Sequence, residues 1–168
     1  LAEVIRTAQL PAAARQTLER RLRRQFVTAT WKMYLDYLPA EIVFNDKLPI
    51  KTITHVKYYN ATGTLTTLTA VTDYQTDLVA EQRPARIWPA YGKTWPSVLG
   101  DTLNAVEIQF TAGYGAASAV PACLKHGMLL LVADAFENRE DMVIGTINSR
   151  IANFLDATIS AEDWGAYS

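Results

Sequence analysis

Two histidines, one cysteine and a pair of closely spaced glycines are the residues in this 168-residue chain whose types and spacing suggest chemistry. Gly113-Tyr114-Gly115-Ala116-Ala117-Ser118 has the outline of a dinucleotide-binding turn between a strand and a helix. Ser118 stands where the third glycine would let the helix approach the strand. Asp134, the acidic residue about twenty positions on, falls inside a helical pattern and not at a strand end where a ribose would lie. The segment therefore reads as a glycine-hinged turn. His126, one position beyond Lys125, belongs to no recognisable metal-ligand set, and His55 sits beside Thr54 in a strand-like run. Neither pairs with a Ser or Cys in a nucleophile motif. The lone Cys123 excludes an internal disulfide or a cysteine-built zinc cage, and reads as a small buried hydrophobe. Glu140 and Asp141 are too few for a cation site, and Asp141 suits a helix N-cap. These residues offer no catalytic, cofactor or metal candidates, so no enzyme is expected.

Charge is the stronger signal. The net charge is −1, but residues 1–32 hold seven Arg and Lys against Glu3 and Glu19, a net of +5. Residues 137–168 hold Arg139 and Arg150 against Glu137, Glu140, Asp141, Asp156, Glu162 and Asp163, a net of −4. Such polarity suits a molecule that stacks head to tail or docks different partners at its two ends, although a solvated helix and an acidic tail would look the same. The densest basic run is Arg20-Arg21-Leu22-Arg23-Arg24. On a helix these guanidinium groups spread around most of the circumference except the Leu22 stripe, whereas tracking DNA phosphates favours one stripe. Pairing with carboxylates of a neighbouring protein ranks ahead of a solvated face, and both rank ahead of nucleic acid.

The elements that must position these residues follow from periodicity. Pro11 suits a first helical turn, predicting a helix from there to about Gln25, with Ala14, Leu18, Leu22 and Phe26 on one stripe. A short separate helix is expected over residues 1–9. From Thr28 to Gly115 the period shortens to that of strands: Thr30–Leu35, Glu41–Phe44, Ile53–Tyr59, Thr64–Leu68, Tyr74–Leu78, Arg86–Trp88 and Ala105–Thr111. Asn60-Ala61-Thr62-Gly63 predicts a type I turn closing a hairpin. Pro89 to Pro96 brackets an aromatic loop in which Trp88, Tyr91 and Trp95 form a contact surface or else cap the sheet edge. Pro121 opens a second helical region with Leu124, Met128, Leu131, Val132 and Ala135 on one face. Met128–Phe136 is apolar nearly all round, which implies burial on several sides, including against a neighbouring subunit. Ile144, Ile147, Ile151 and Leu155 predict a further helix over Met142–Ala157. From its end onward, the stretch from about Asp156 to Ser168, with Asp156, Glu162 and Asp163 and the aromatics Trp164 and Tyr167, reads as a candidate docking tail.

Composition is that of an ordinary globular chain, 49% hydrophobic and 20% charged. The longest wholly apolar stretch, Met128–Ala133, falls well short of the roughly 18 residues a membrane helix needs. Leu1–Leu10 lacks the pattern of a secretory signal, and without an initiating Met the chain reads as processed or trimmed. A soluble protein compatible with a reducing compartment is expected.

In their order and spacing, four stretches resemble the head–tail connector, or adaptor, family of tailed bacteriophages and related gene-transfer particles. They are Ala12-Ala13-Ala14-Arg15 through Arg24 followed by Thr30-Trp31-Lys32; Val56 through Leu65; Arg86 through Pro96; and Phe110 through Gly115 followed by Val120-Pro121 and Glu137-Asn138-Arg139-Glu140. The resemblance spans residues 12–141. It implies an α+β fold with a helical core and an inserted small antiparallel sheet or hairpin region. Within a single 1–168 domain the expected boundaries are 1–27 helical, 28–115 β-rich, 116–157 helical and 158–168 a mobile tail. It further implies a ring, typically a dodecamer, beneath the portal of the head, extending the channel for genomic DNA toward a stopper or tail-completion protein. DNA would pass without sequence-specific binding. No catalytic residue, cofactor or membrane contact is implied, and the location is the virion neck, reached from the host cytoplasm during assembly. Candidate portal or subunit interface residues are Arg20, Arg21, Arg23, Arg24, Trp88, Tyr91 and Trp95. The competing expectation is a DNA-binding packaging accessory acting through Arg20–Arg24.

Overall fold

The computed structural model, which describes residues 2–78 and 84–137, opens with helix α1 (Ala2–Leu22). Strands follow as β1 (Ala29–Leu35), β2 (Ile42–Phe44), β3 (Ile50–Tyr59), β4 (Leu65–Leu68), β5 (Tyr74–Asp77), β6 (Ala85–Pro89) and β7 (Val106–Ala112). A single 3-10 turn, Ala117–Ala119, leads into helix α2 (Ala122–Glu137). All strand pairs are antiparallel, in a four-stranded sheet ordered β1-β7-β3-β4 and a three-stranded sheet ordered β2-β6-β5.

Alternation along β7 buries Val106, Ile108, Phe110 and Ala112 and turns Glu107, Gln109 and Thr111 to the other face. Across from them, Ile42, Phe44, Tyr74, Ala85 and Ile87 of the smaller sheet complete one core of thirteen buried residues. The Phe44 and Phe110 rings meet edge to face at 5.0 Å, a preferred aromatic geometry. Apolar residues in β3 are spaced irregularly, at 50, 53, 56 and 58. Two register shifts against β7 absorb the irregularity, so that Ile50, Ile53, Val56 and Tyr58 pair along the inward-facing rows while Thr52 and His55 pair outward. The β3–β4 hairpin closes as expected. The Gly63 amide donates to the Asn60 carbonyl at 2.8 Å, Gly63 has φ +75°, and the Asn60 side-chain oxygen accepts from the amides of Thr62 and Thr64.

The helices make a second, smaller core. Leu18 and Phe26 pack with Val120 and Leu124, flanked by Leu22, Tyr114, Met128 and Leu131. This corrects the expected architecture: the main core is not helical with a small inserted sheet. It lies between two antiparallel sheets, and the cluster at the helix pair holds only four buried residues against thirteen, two of them, Phe26 and Val120, on the flanking connections. Two facing sheets bury every second residue of each strand. A pair of helices buries one stripe of each.

Several local expectations also change. Pro11 lies inside α1 and does not start it, so the helix is continuous from Ala2 and forgoes one rung of its ladder. The helix stops at Leu22. Arg23, at φ +52°, takes the left-handed position, and the amides of Arg23 and Arg24 donate to the carbonyls of Arg20 and Glu19 at 3.3 and 3.0 Å. That is a Schellman cap built without glycine. Cys123 is exposed rather than buried. Within the apolar α2, Leu129 is 66% and Phe136 49% exposed, so this helix is not enclosed all round by the described residues. The helix expected at 142–157 and the tail at 158–168 lie outside the described residues.

Three chain segments cross where helix pair and sheets meet. The Gln25 amide donates to the Leu48 carbonyl, Thr28 to Gly115, Tyr114 to Phe26 and Gly113 to Pro49, all between 2.8 and 3.0 Å. Gly113 and Gly115 adopt φ of +121° and +135° in this crossing. The glycines thus serve a backbone junction. The strand before them is antiparallel to both neighbours, without the parallel strand–helix–strand unit of a nucleotide site.

Candidate functional site

The end of α1 does not present its four arginines together. Arg20, Arg21 and Arg23 are exposed, whereas Arg24 turns inward and donates from Nη1 to the Tyr114 hydroxyl at 2.7 Å. Glu19 fixes the exit of the chain: its carboxylate accepts the Phe26 amide at 2.9 Å and the Gln25 side-chain amide at 3.2 Å, with Arg15 Nε at 3.9 Å. Arg20 and Arg23 then face the β2–β3 connection, and Arg20, Arg23, Asn45, Asp46 and Lys47 line an open cleft of about 310 Å³. Lys47 is held in place from two sides. Its amide donates to the Asp46 carboxylate at 2.8 Å, and its Nζ lies 4.6 Å from the centre of the Trp31 ring. Three cations against one carboxylate give the cleft a net positive charge, chemistry that suits an anionic group of modest size. Sequence reasoning located Arg20 and Arg23 but missed Lys47 and Trp31, which only the folded β2–β3 connection brings to the helix end.

The aromatic candidates separate. Tyr91 is fully exposed at the tip of its loop, next to Gly92 at φ +71°. Trp88 is 46% exposed on the outer face of β6, with the Arg86 guanidinium 5.9 Å from its ring centre. Arg86 is itself gripped by Glu41 and Asp77, each at 3.1 Å. Trp95 instead packs against the sheet core and donates its indole N–H to the Ala40 carbonyl at 3.3 Å. None of the three aromatic residues lines the arginine cleft. The tail candidates Asp156, Glu162, Asp163, Trp164 and Tyr167 lie outside the described residues, as do Glu140 and Asp141.

A polar cluster that the sequence did not disclose occupies the outer face of the larger sheet. Glu107 on β7 receives Lys32 Nζ at 3.1 Å and the Tyr34 hydroxyl at 3.1 Å from β1, and pairs with His55 Nε2 at 2.9 Å on β3. Its carboxyl is held at about 2, against an ordinary 4.5, first by the His55 hydrogen bond and then by that of Lys32. The Glu107 contact in turn raises Lys32. So acidic a carboxylate is a poor general base, and it works instead as a tie across three strands. A carboxylate of this kind adds stability that is complete above about pH 4.5 and is lost as pH falls through about 2. Urea unfolding of the native chain and of Glu107→Gln is therefore expected to give midpoints that converge between pH 4.5 and 2. A gap that stays constant over that range would show that the ties contribute nothing.

Among the described residues no group of three or more His, Cys, Asp or Glu is placed to hold a metal ion, and no helix is long and apolar enough to cross a membrane. His126 is exposed on α2.

The architecture is that of a two-sheet antiparallel body carrying a helix pair, and it has counterparts among solved structures. A chain in the neck of an empty GTA particle, computed with C6 symmetry, superimposes with a TM-score of 0.70 at 23% identity, covering 90% of this chain and 75% of that one. A chain in the neck of the native GTA particle, computed with C12 symmetry, gives 0.70 at 24%, covering 90% and 80%. A third, from the virion of the native gene transfer agent particle, gives 0.70 at 23%, covering 91% and 76%. No protein-family model and no curated protein matches the chain. The fold is thus one found in gene transfer agent necks, in agreement with the connector resemblance carried by the sequence motifs.

Proposed function

We propose that this chain is a structural component of the neck of a tailed, phage-like particle: a head–tail connector that assembles as a ring beneath the portal and extends the DNA channel toward a stopper or tail. The observation that carries this reading is the match over nine-tenths of the chain to proteins seen in gene transfer agent necks. Those necks were computed with C6 and C12 symmetry, which supports a ring of identical subunits here and fits the dodecamer implied by the sequence resemblance. Self, portal and a tail-side protein are the partners of such a ring, with genomic DNA passing through it. The neck of the virion is its location, after assembly in the host cytoplasm.

The competing reading, a DNA-binding packaging accessory using Arg20–Arg24, is weakened by the inward turn of Arg24 and by Asp46 in the cleft. A protein neutralising several phosphates needs an uninterrupted basic stripe and loses affinity steeply with salt. Immunogold labelling of a tagged chain in purified particles should mark the junction of head and tail. Label along the head shell or at the tail tip, or particles that carry none, would overturn the neck assignment.

A further inference from the structure

We propose that the cleft formed by Arg20, Arg23 and Lys47 receives the acidic stretch 156–168 of a neighbouring copy of this chain. The inference rests on the reading of the chain as a ring-forming neck component and adds to it a particular contact between copies.

Charge sets the pairing. The cleft carries three cations and one carboxylate. Residues 156–168 carry Asp156, Glu162 and Asp163 and no basic residue. Arginine forks and a lysine ammonium suit carboxylates at short range, and a cleft of about 310 Å³ admits a few side chains, not the long charged edge of a duplex. Next to the cleft, the Trp31 ring under Lys47 is 37% exposed and offers an aromatic surface. The acidic stretch brings Trp164 and Tyr167, residues that interfaces favour.

Ring assembly favours a neighbour over the same chain. Leu124, near the start of α2, packs beside Leu18 and Phe26 at the cleft end of α1. From Leu124 the helix carries the backbone roughly 20 Å further before Glu137, at 1.5 Å per residue. Donor and acceptor surfaces that differ on one subunit make a heterologous contact, which closes into a ring when the rotation allows.

The test uses the full-length chain and a fluorescently labelled synthetic peptide of residues 156–168, with binding read by anisotropy. The peptide should bind, and rising salt should weaken it, since exposed ion pairs are screened within about 8 Å at physiological ionic strength. A peptide carrying Lys in place of Asp156, Glu162 and Asp163 should lose binding at least tenfold, a comparison that leaves the folded protein unaltered. The Arg20→Glu/Lys47→Glu variant, shown folded by circular dichroism, should reject the native peptide and accept the Lys-bearing one. Failure of the native peptide to bind, including failure because each chain's own stretch fills its cleft, overturns the contact between copies. Equal binding of native and Lys-bearing peptides does the same. A duplex DNA that displaces the peptide and binds more tightly identifies nucleic acid as the occupant, and also overturns it. These outcomes are independent of the immunogold result, so a chain located in the neck whose cleft ignores the peptide refutes this contact alone.

Discussion

Replacing Gly113 with alanine is expected to destabilise the protein by about 3 kcal/mol, a large share of the 5–15 kcal/mol typical of a domain. Two causes act together. At φ +121° the backbone lies in a region L-residues rarely adopt, which alone costs of order 1–3 kcal/mol. A Cβ there would also sit 2.8 Å from the backbone of Val27 and Thr28, and those atoms cannot swing aside as the tip of a flexible side chain would. Thr28 is pinned by its hydrogen bond to Gly115, and the Gly113 amide is pinned to Pro49, so relief would require opening the crossing. Gly63→Ala is the control. Its φ is +75°, but a Cβ there meets nothing within 4 Å, so only the left-handed conformation is penalised, at about 1–2 kcal/mol. With a urea slope of about 1–3 kcal/mol/M, the Gly113→Ala midpoint should fall by roughly 1–3 M, clearly more than that of Gly63→Ala at the same slope. Equal shifts would show that the junction is loose.

Gly113 also shows what sequence reasoning reached and where it stopped. The pair Gly113 and Gly115 was legible as a hinge because Ser118 and Asp134 spoiled the nucleotide pattern. What the hinge abuts, Val27 and Thr28, was not legible, since that contact joins residues more than eighty positions apart. Local signals succeeded in the same way elsewhere. Asn60 and Gly63 specify their turn through bonds within five residues, and Leu124, Met128 and Leu131 mark a stripe that does pack on α1. The strand at β7 was legible because its alternation is unbroken.

Where pairing is non-local, the reading failed. The strands were foreseen, but their division into two sheets sharing one core was not, and so the helices were given a weight the packing assigns to the sheets. In β3 the bulges break the two-residue period, which hid the start of the strand at Ile50. The Glu107 cluster needs β1, β3 and β7 in register, with Lys32 75 residues away from its partner. For the arginine run, periodicity gave the helix but not its stop. Once Arg23 leaves the helix in a left-handed conformation, Arg23 and Arg24 diverge, and only Arg20 and Arg23 remain to meet Lys47.

The inequality of the two cores makes the second large prediction. Leu124 is 2% exposed and packs with Leu18, Phe26 and Val120 in the only buried apolar cluster that joins α1 to α2 among the described residues. Leu124→Asp would place a carboxylate there with no cation in the cluster to pair it, at an expected cost of several kcal/mol. Four buried side chains at about 1.5–3 kcal/mol each cannot absorb that loss and keep the helices docked. The thirteen-residue core between the sheets touches none of these residues and retains its own packing. The expected result is a protein whose helices come apart while the sheets persist. Far-ultraviolet circular dichroism should lose helical signal at low urea, and amides of β3 and β7 should remain protected from hydrogen exchange until a later transition. Because Arg20 is carried by α1 and Lys47 by the sheet side, the cleft should vanish in the first transition, and binding of the 156–168 peptide with it. Loss of helical signal and of β7 protection in one transition would show instead that Gly113 and its neighbours couple the two cores into a single cooperative unit.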